Sequence, residues 1–113
     1  MKFIRSGVPI AVILIVILAC GPERNVRKGD RYLALGEYFD AADQFKRAYS
    51  KTPVKQRAER GMIALKLAGC YARINMAPKA VAAYRNAVRF GNISAEDRLL
   101  FARQLLKNGL YRE

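Results

Sequence analysis

Hydrophobic and polar residues alternate in two different ways along this chain. Val8 to Ala19 is an unbroken apolar run. Beyond Cys20 the apolar positions recur every three or four residues, the period of an amphipathic helix. Tyr38, Ala41, Ala42, Phe45, Ala48 and Tyr49 form one such stripe, and Ala77, Ala80, Val81, Tyr84, Ala87 and Val88 form a second that superposes on it. Each stripe follows a turn signal, Gly36-Glu37-Tyr38 in the first case and Asn75-Met76-Ala77 in the second. Asn108-Gly109-Leu110-Tyr111 reads as a third turn that ends one helix and opens another. Ahead of each turn lies a helix with a small residue one turn before a larger apolar one: Gly29 with Tyr32, Ala68 with Tyr71, Ala102 with Leu105. Helix axes approach closely only where such small residues lie.

The pattern predicts helical hairpin repeats at about residues 22–55 and 61–94, with an incomplete third at 95–113. The last two starts are 34 residues apart, and the first interval is five residues longer. Thr52 as N-cap with Pro53 in the first turn predicts that the extra residues, Gln56 to Arg60 among them, lengthen the first helix of repeat two. In repeat three, Ser94 is expected to cap a helix with Asp97 at its third position, and Leu99, Ala102, Leu105 and Leu106 are expected to face inward. The sequence stops where the partner helix of that repeat is expected. Phe101, Leu105 and Leu106 at an open end predict either a longer protein or a partner that covers them.

The small-aromatic-small triplets Ala41-Phe45-Ala48 and Ala80-Tyr84-Ala87, with Pro53 just beyond the first, resemble the tetratricopeptide (TPR) family. That resemblance covers nearly everything from Pro22 to Glu113. It implies an all-α fold, a short α-solenoid of about two and a half helical hairpins, whose first helices line a concave groove. Mapped onto this sequence, the groove-facing places are Asp30, Leu33, Leu65, Arg73, Arg103 and Lys107. Arg73, Arg103 and Lys107 are expected to hold a carboxylate or an acidic extended segment, because a guanidinium offers a rigid fork of donors.

The apolar run has the plan of a signal peptide: Lys2 and Arg5 precede it, and Gly21, Pro22, Glu23 and Arg24 follow it at once. With twelve residues it falls short of the about 20 needed to span a bilayer. Ile17-Leu18-Ala19-Cys20 resembles a bacterial lipobox. That implies a lipoprotein signal peptide over residues 1–19, lipidation of Cys20, and a short linker over residues 20–24. Acyl chains at about 0.8 kcal/mol per buried CH₂ make a lasting anchor. Acylation leaves Cys70 as the only thiol, so no intramolecular disulfide is expected. Its apolar helical setting predicts a packed, inert side chain.

Composition narrows the function further. The 113 residues contain no His, the commonest general base and transition-metal ligand. No P-loop, GxSxG or Cys-x-x-Cys arrangement occurs, so neither catalysis nor a cofactor or metal is expected. Formal charge is +12, and the part beyond the leader keeps +10 once Lys2 and Arg5 are removed. A second basic set, Lys46, Arg47, Lys79, Arg85 and Arg89, falls on the second helices and is expected to face anionic lipid or wall polymer. Nucleic acid is not an expected partner, since no aromatic-and-basic stacking platform is visible.

At a closer level, the lipobox followed by Gly-Asp-Arg-Tyr at 29–32 and Gly-Glu-Tyr-Phe-Asp-Ala-Ala at 36–42 resembles the OmpA-family lipoproteins of Bacteroidetes. These include the PorE-type component of the type IX secretion system. The resemblance implies a lipid-anchored scaffold for envelope proteins on the periplasmic side of the outer membrane, as the first part of a longer protein. The alternatives are a module binding peptidoglycan or another anionic polymer, a TPR lipoprotein of outer-membrane barrel assembly, and the accessory domain of an envelope enzyme.

Overall fold

A computed structural model describes residues 21–91 and 93–112. These form five helices and, among the described residues, no strand: α1 Pro22–Ala34, α2 Tyr38–Lys51, α3 Arg57–Arg73, α4 Ala77–Phe90 and α5 Ala95–Arg112. The leader and Cys20 lie outside the described residues. No described helix is long and apolar enough to cross a membrane.

Helix α1 opens on Pro22, whose preset φ and missing N–H suit the first position, and Glu23 in that turn complements the helix dipole. Pro22, Glu23 and Arg24 are therefore helical rather than linker. Gly36 and Asn75, 39 residues apart, end α1 and α3 in the same way, with φ of +75° and +58°. Glycine takes this left-handed conformation freely and asparagine tolerates it. In both turns the chain closes with a six-to-one bond: Glu37 N–H donates to Tyr32 O and Met76 N–H to Tyr71 O, each at 2.9 Å.

Three further expectations fail. Thr52 does not cap the helix that follows. Its hydroxyl donates backward to Ala48 O at 2.8 Å, which closes α2, and residues 53–56 form a turn held by Gln56 N–H on Pro53 O at 3.0 Å. Helix α3 opens only at Arg57, so Arg57 to Arg60 do lengthen it, but Gln56 stands outside. Asn108 and Gly109 make no turn, because α5 runs through them to Arg112; a glycine inside a helix costs about 1 kcal/mol but does not oblige it to end. Finally, Leu99 and Leu106 point outward, 61 % and 71 % exposed, and Ala102 and Leu105 are exposed as well. The face α5 turns to the body carries Phe101, stacked on Tyr84 with centroids 5.4 Å apart, and the buried Gln104. The capping of α5 is as expected: Asp97 N–H donates to Ser94 Oγ at 3.0 Å, and the Ser94 hydroxyl to Asp97 Oδ2 at 2.9 Å.

Extensive packing is confined to consecutive helices. Ala41, Phe45 and Ala48 on α2 and Ala80, Tyr84 and Ala87 on α4 are all buried. Gly29 gives Phe45 its space, since a Cβ there would lie 2.6 Å from the ring. Central helix α3 is buried on two opposite stripes, Gly61-Ala64-Ala68 and Ile63-Leu67-Cys70. Gly61 sits so close to Phe90 and Gly91 that a Cβ would come within 3.1 Å of backbone. Moved on by 34 residues, the second stripe falls on Asp97, Phe101 and Gln104, the half-buried to buried stripe of α5. Asn25 clasps α1 to α2, its amide donating to Gln44 Oε1 and its oxygen accepting from Lys51 Nζ, both at 3.0 Å.

Candidate functional site

The first helices of successive hairpins, α1, α3 and α5, leave gaps where the loop from the preceding second helix enters. One cleft of about 220 Å³ lies between α1 and α3, lined by Pro22, Val26, Arg27, Met62 and Ile63, with Thr52 and Gln56 from the entering loop and Glu23 and Glu59 at its charged edge. A second, of about 310 Å³, lies between α3 and the end of α4 with Gly91 and Ile93 beyond it, lined by Ala58, Gly61, Met62, Leu65, Ala87, Gly91 and Ile93. The two are repeat-related. Adding 39 carries Pro22, Glu23, Val26 and Thr52 of the first onto Gly61, Met62, Leu65 and Gly91 of the second. Met62 lines both, half-exposed, so the clefts join across its thioether. Such a flexible, polarisable side chain adapts to irregular apolar surfaces.

No family model, curated protein or solved structure matches this chain.

The six groove residues expected from sequence fall in distinct settings. Asp30 accepts from Lys66 Nζ at 2.7 Å, an ion pair that joins α1 to α3. The same ammonium lies 5.7 Å from the centroid of the Phe45 ring. Leu33 and Leu65 are partly buried against the core, and Leu65 also lines the second cleft. Arg73 turns back to α2: it donates to the Tyr38 hydroxyl at 2.7 Å and its guanidinium lies 4.9 Å from that ring. Arg103 is exposed on α5 and Lys107 half-buried. Of the six, then, Leu65 lines the second cleft, Leu33 packs against the core, Asp30 and Arg73 have partners within the fold, and Arg103 and Lys107 sit on the last helix.

Sequence reasoning passes over Val26, Met62 and Ile93, because their importance depends on how the 52–56 loop and Gly91 are placed against α3. The repeat offset was a usable signal: Val26 and Leu65 are equivalent positions on α1 and α3.

Chemically the clefts offer apolar contact edged by a few polar groups. Burial pushes the Cys70 thiol up to about 11, against the pull of Arg73, and such a thiol stays protonated and unreactive near neutrality. Tyr84 is also raised, by burial first and by Asp97 second, with Arg73 opposing. Among the described residues, no group of His, Cys, Asp and Glu is placed to hold a metal ion.

Proposed function

We propose that this chain is a lipid-anchored envelope scaffold built from TPR-type hairpins, and that its first-helix face binds another protein. The observation that carries this reading is the pair of repeat-related apolar clefts joined at Met62. A surface that repeats an apolar hollow once per hairpin suits an extended segment with apolar side chains at intervals. The TPR assignment draws support from burial of both small-aromatic-small triplets and from the 34-residue displacement that relates the buried stripes of α3 and α5. The lipobox-like Ile17-Leu18-Ala19-Cys20 supports the anchor at Cys20 and the address at the periplasmic side of the outer membrane. The resemblance to OmpA-family lipoproteins makes components of an outer-membrane secretion or assembly machine the expected partner class.

The test is a photo-crosslinking amino acid placed at Met62, with a second placed at Val88, which is exposed on α4. Crosslinks to a discrete envelope protein from position 62 and not from 88 are the expected result. Crosslinks from 88 alone, or none from 62, would overturn the groove reading.

A further inference from the structure

The end of the bundle where α1 and α3 begin and α2 and α4 finish collects more positive than negative charge: Glu23 and Glu59 stand in the first turns there, against Lys51, Lys55, Arg57, Arg60 and Arg89. Three guanidinium groups surround the Phe90 ring, with Arg60, Arg57 and Arg89 at 5.0, 5.3 and 5.9 Å from its centroid. Like charges repel, so this gathering needs a cause. Part of it lies within the fold, because helix C-terminal carbonyls attract cations: Arg60 Nη1 donates to Thr52 O at 2.7 Å, and Arg57 Nη2 to Arg89 O at 2.8 Å. These caps engage one nitrogen of each. Arg60 Nε is buried with no acceptor, and Arg57 and Arg89 are exposed. Ion pairs form at Arg47 with Asp43 and at Lys66 with Asp30, whereas none of the three guanidinium groups around Phe90 is ion-paired to a carboxylate among the described residues. Beside them the 53–56 turn presents Val54, 61 % exposed, next to exposed Lys55.

The sequence enters this same end, since the apolar run of residues 8–19 stops three residues before α1 opens at Pro22. We propose that this end lies on an anionic phospholipid bilayer, with Arg57, Arg89 and Lys55 on lipid phosphates and Val54 in the interface. The inference rests on reading residues 1–20 as membrane-directed. It commits to lipid because an apolar tip flanked by cations outside any ion pair matches an interface that is anionic outside and apolar beneath, whereas a soluble polyanion has no use for Val54. The first-helix clefts are left free for a protein partner.

The full chain, reconstituted into vesicles of phosphatidylcholine alone or with phosphatidylglycerol, tests this. An environment-sensitive dye is attached at Val54→Cys or, at the opposite end, at Glu37→Cys; buried Cys70 does not compete for it, and Cys20 of the acylated chain has no free thiol. The dye at 54 is expected to shift to the blue only with phosphatidylglycerol, and the dye at 37 with neither. Lys55→Gln with Arg89→Gln, which removes no hydrogen-bonded cap, should lower the shifted population about fivefold per charge at unchanged helicity. Equal emission at 54 in both vesicles, an equal shift at 37, or an unaltered shift in the double variant would overturn the proposal. So would reversal by inorganic phosphate at matched ionic strength, which would mark a single-ion site. The anchor is read separately: a chain that does not float with neutral vesicles loses the anchor reading. The surface proposal would then stand on flotation with phosphatidylglycerol and fall without it.

Discussion

Helices α3 and α5 occupy equivalent places in successive hairpins, yet one is buried on two sides and the other on one. In α3, Gly61, Ala64 and Ala68 are buried on one side and Ile63, Leu67 and Cys70 on the opposite side, and the helix has α2 and α4 as its packed neighbours. Among the described side chains of α5 only the stripe through Phe101 and Gln104 is covered, and Leu99 and Leu106 stand in the open. The difference teaches that in this architecture stability is assigned by the number of neighbours a helix has, more than by its own composition. Leucine is worth burial only where a second helix arrives.

The sharpest way to break the comparison is through the two aromatic residues that serve its two sides. Phe45, fully buried against Gly29, should cost about 3–5 kcal/mol as Phe45→Ala, with Phe101→Ala, half-buried on Tyr84, costing clearly less. Urea unfolding followed by circular dichroism checks both, and equal losses would make α5 as integral as the interior. Leucines give the next contrast. Leu67→Ala should cost about 2–5 kcal/mol, whereas Leu106→Ala should stay within about 0.5 kcal/mol; a large loss from Leu106 would mean that its face is covered in solution.

A smaller effect is expected at Gln104, whose side-chain oxygen is buried without a donor. Gln104→Met removes that unpaired acceptor and should raise stability by up to about 1 kcal/mol, read as a higher urea midpoint. The mildest probe is Cys70. Its thiol is raised from about 9 to about 11, so native protein at pH 8 should react with iodoacetamide far more slowly than protein in urea. The sign for stability follows: the raised thiol contributes fully below about pH 9 and its contribution is lost as pH rises toward 11. Stability that increases over that interval would contradict the burial.

Much of the hairpin plan is legible in the sequence, for identifiable reasons. Gly36 and Asn75 stand out because few residues accept positive φ, and the alanines at 41, 48, 80 and 87 because close helix crossings admit little else. Thr52 misleads because a threonine before proline fits either a helix start or a helix end, and only the direction of its hydroxyl decides. The four apolar residues of α5 define a stripe without saying what covers it, so periodicity alone turns Leu99 and Leu106 inward. Gln104 escapes notice because glutamine reads as a surface residue. The clefts require the loops in place, and the arginine group around Phe90 draws on residues 32 apart in sequence.

Packing in strict chain order also has a mechanical consequence. Force applied between residue 21 and residue 112 loads the helix interfaces in series, so the structure should peel one hairpin at a time at low tension instead of giving way in a single rupture. The outer helix α5, held on one side, is the first to detach, and the clasp of Asn25 with Gln44 and Lys51 ties α1 to α2 until late. A chain that yields in steps acts as a compliant spring between whatever holds its two ends.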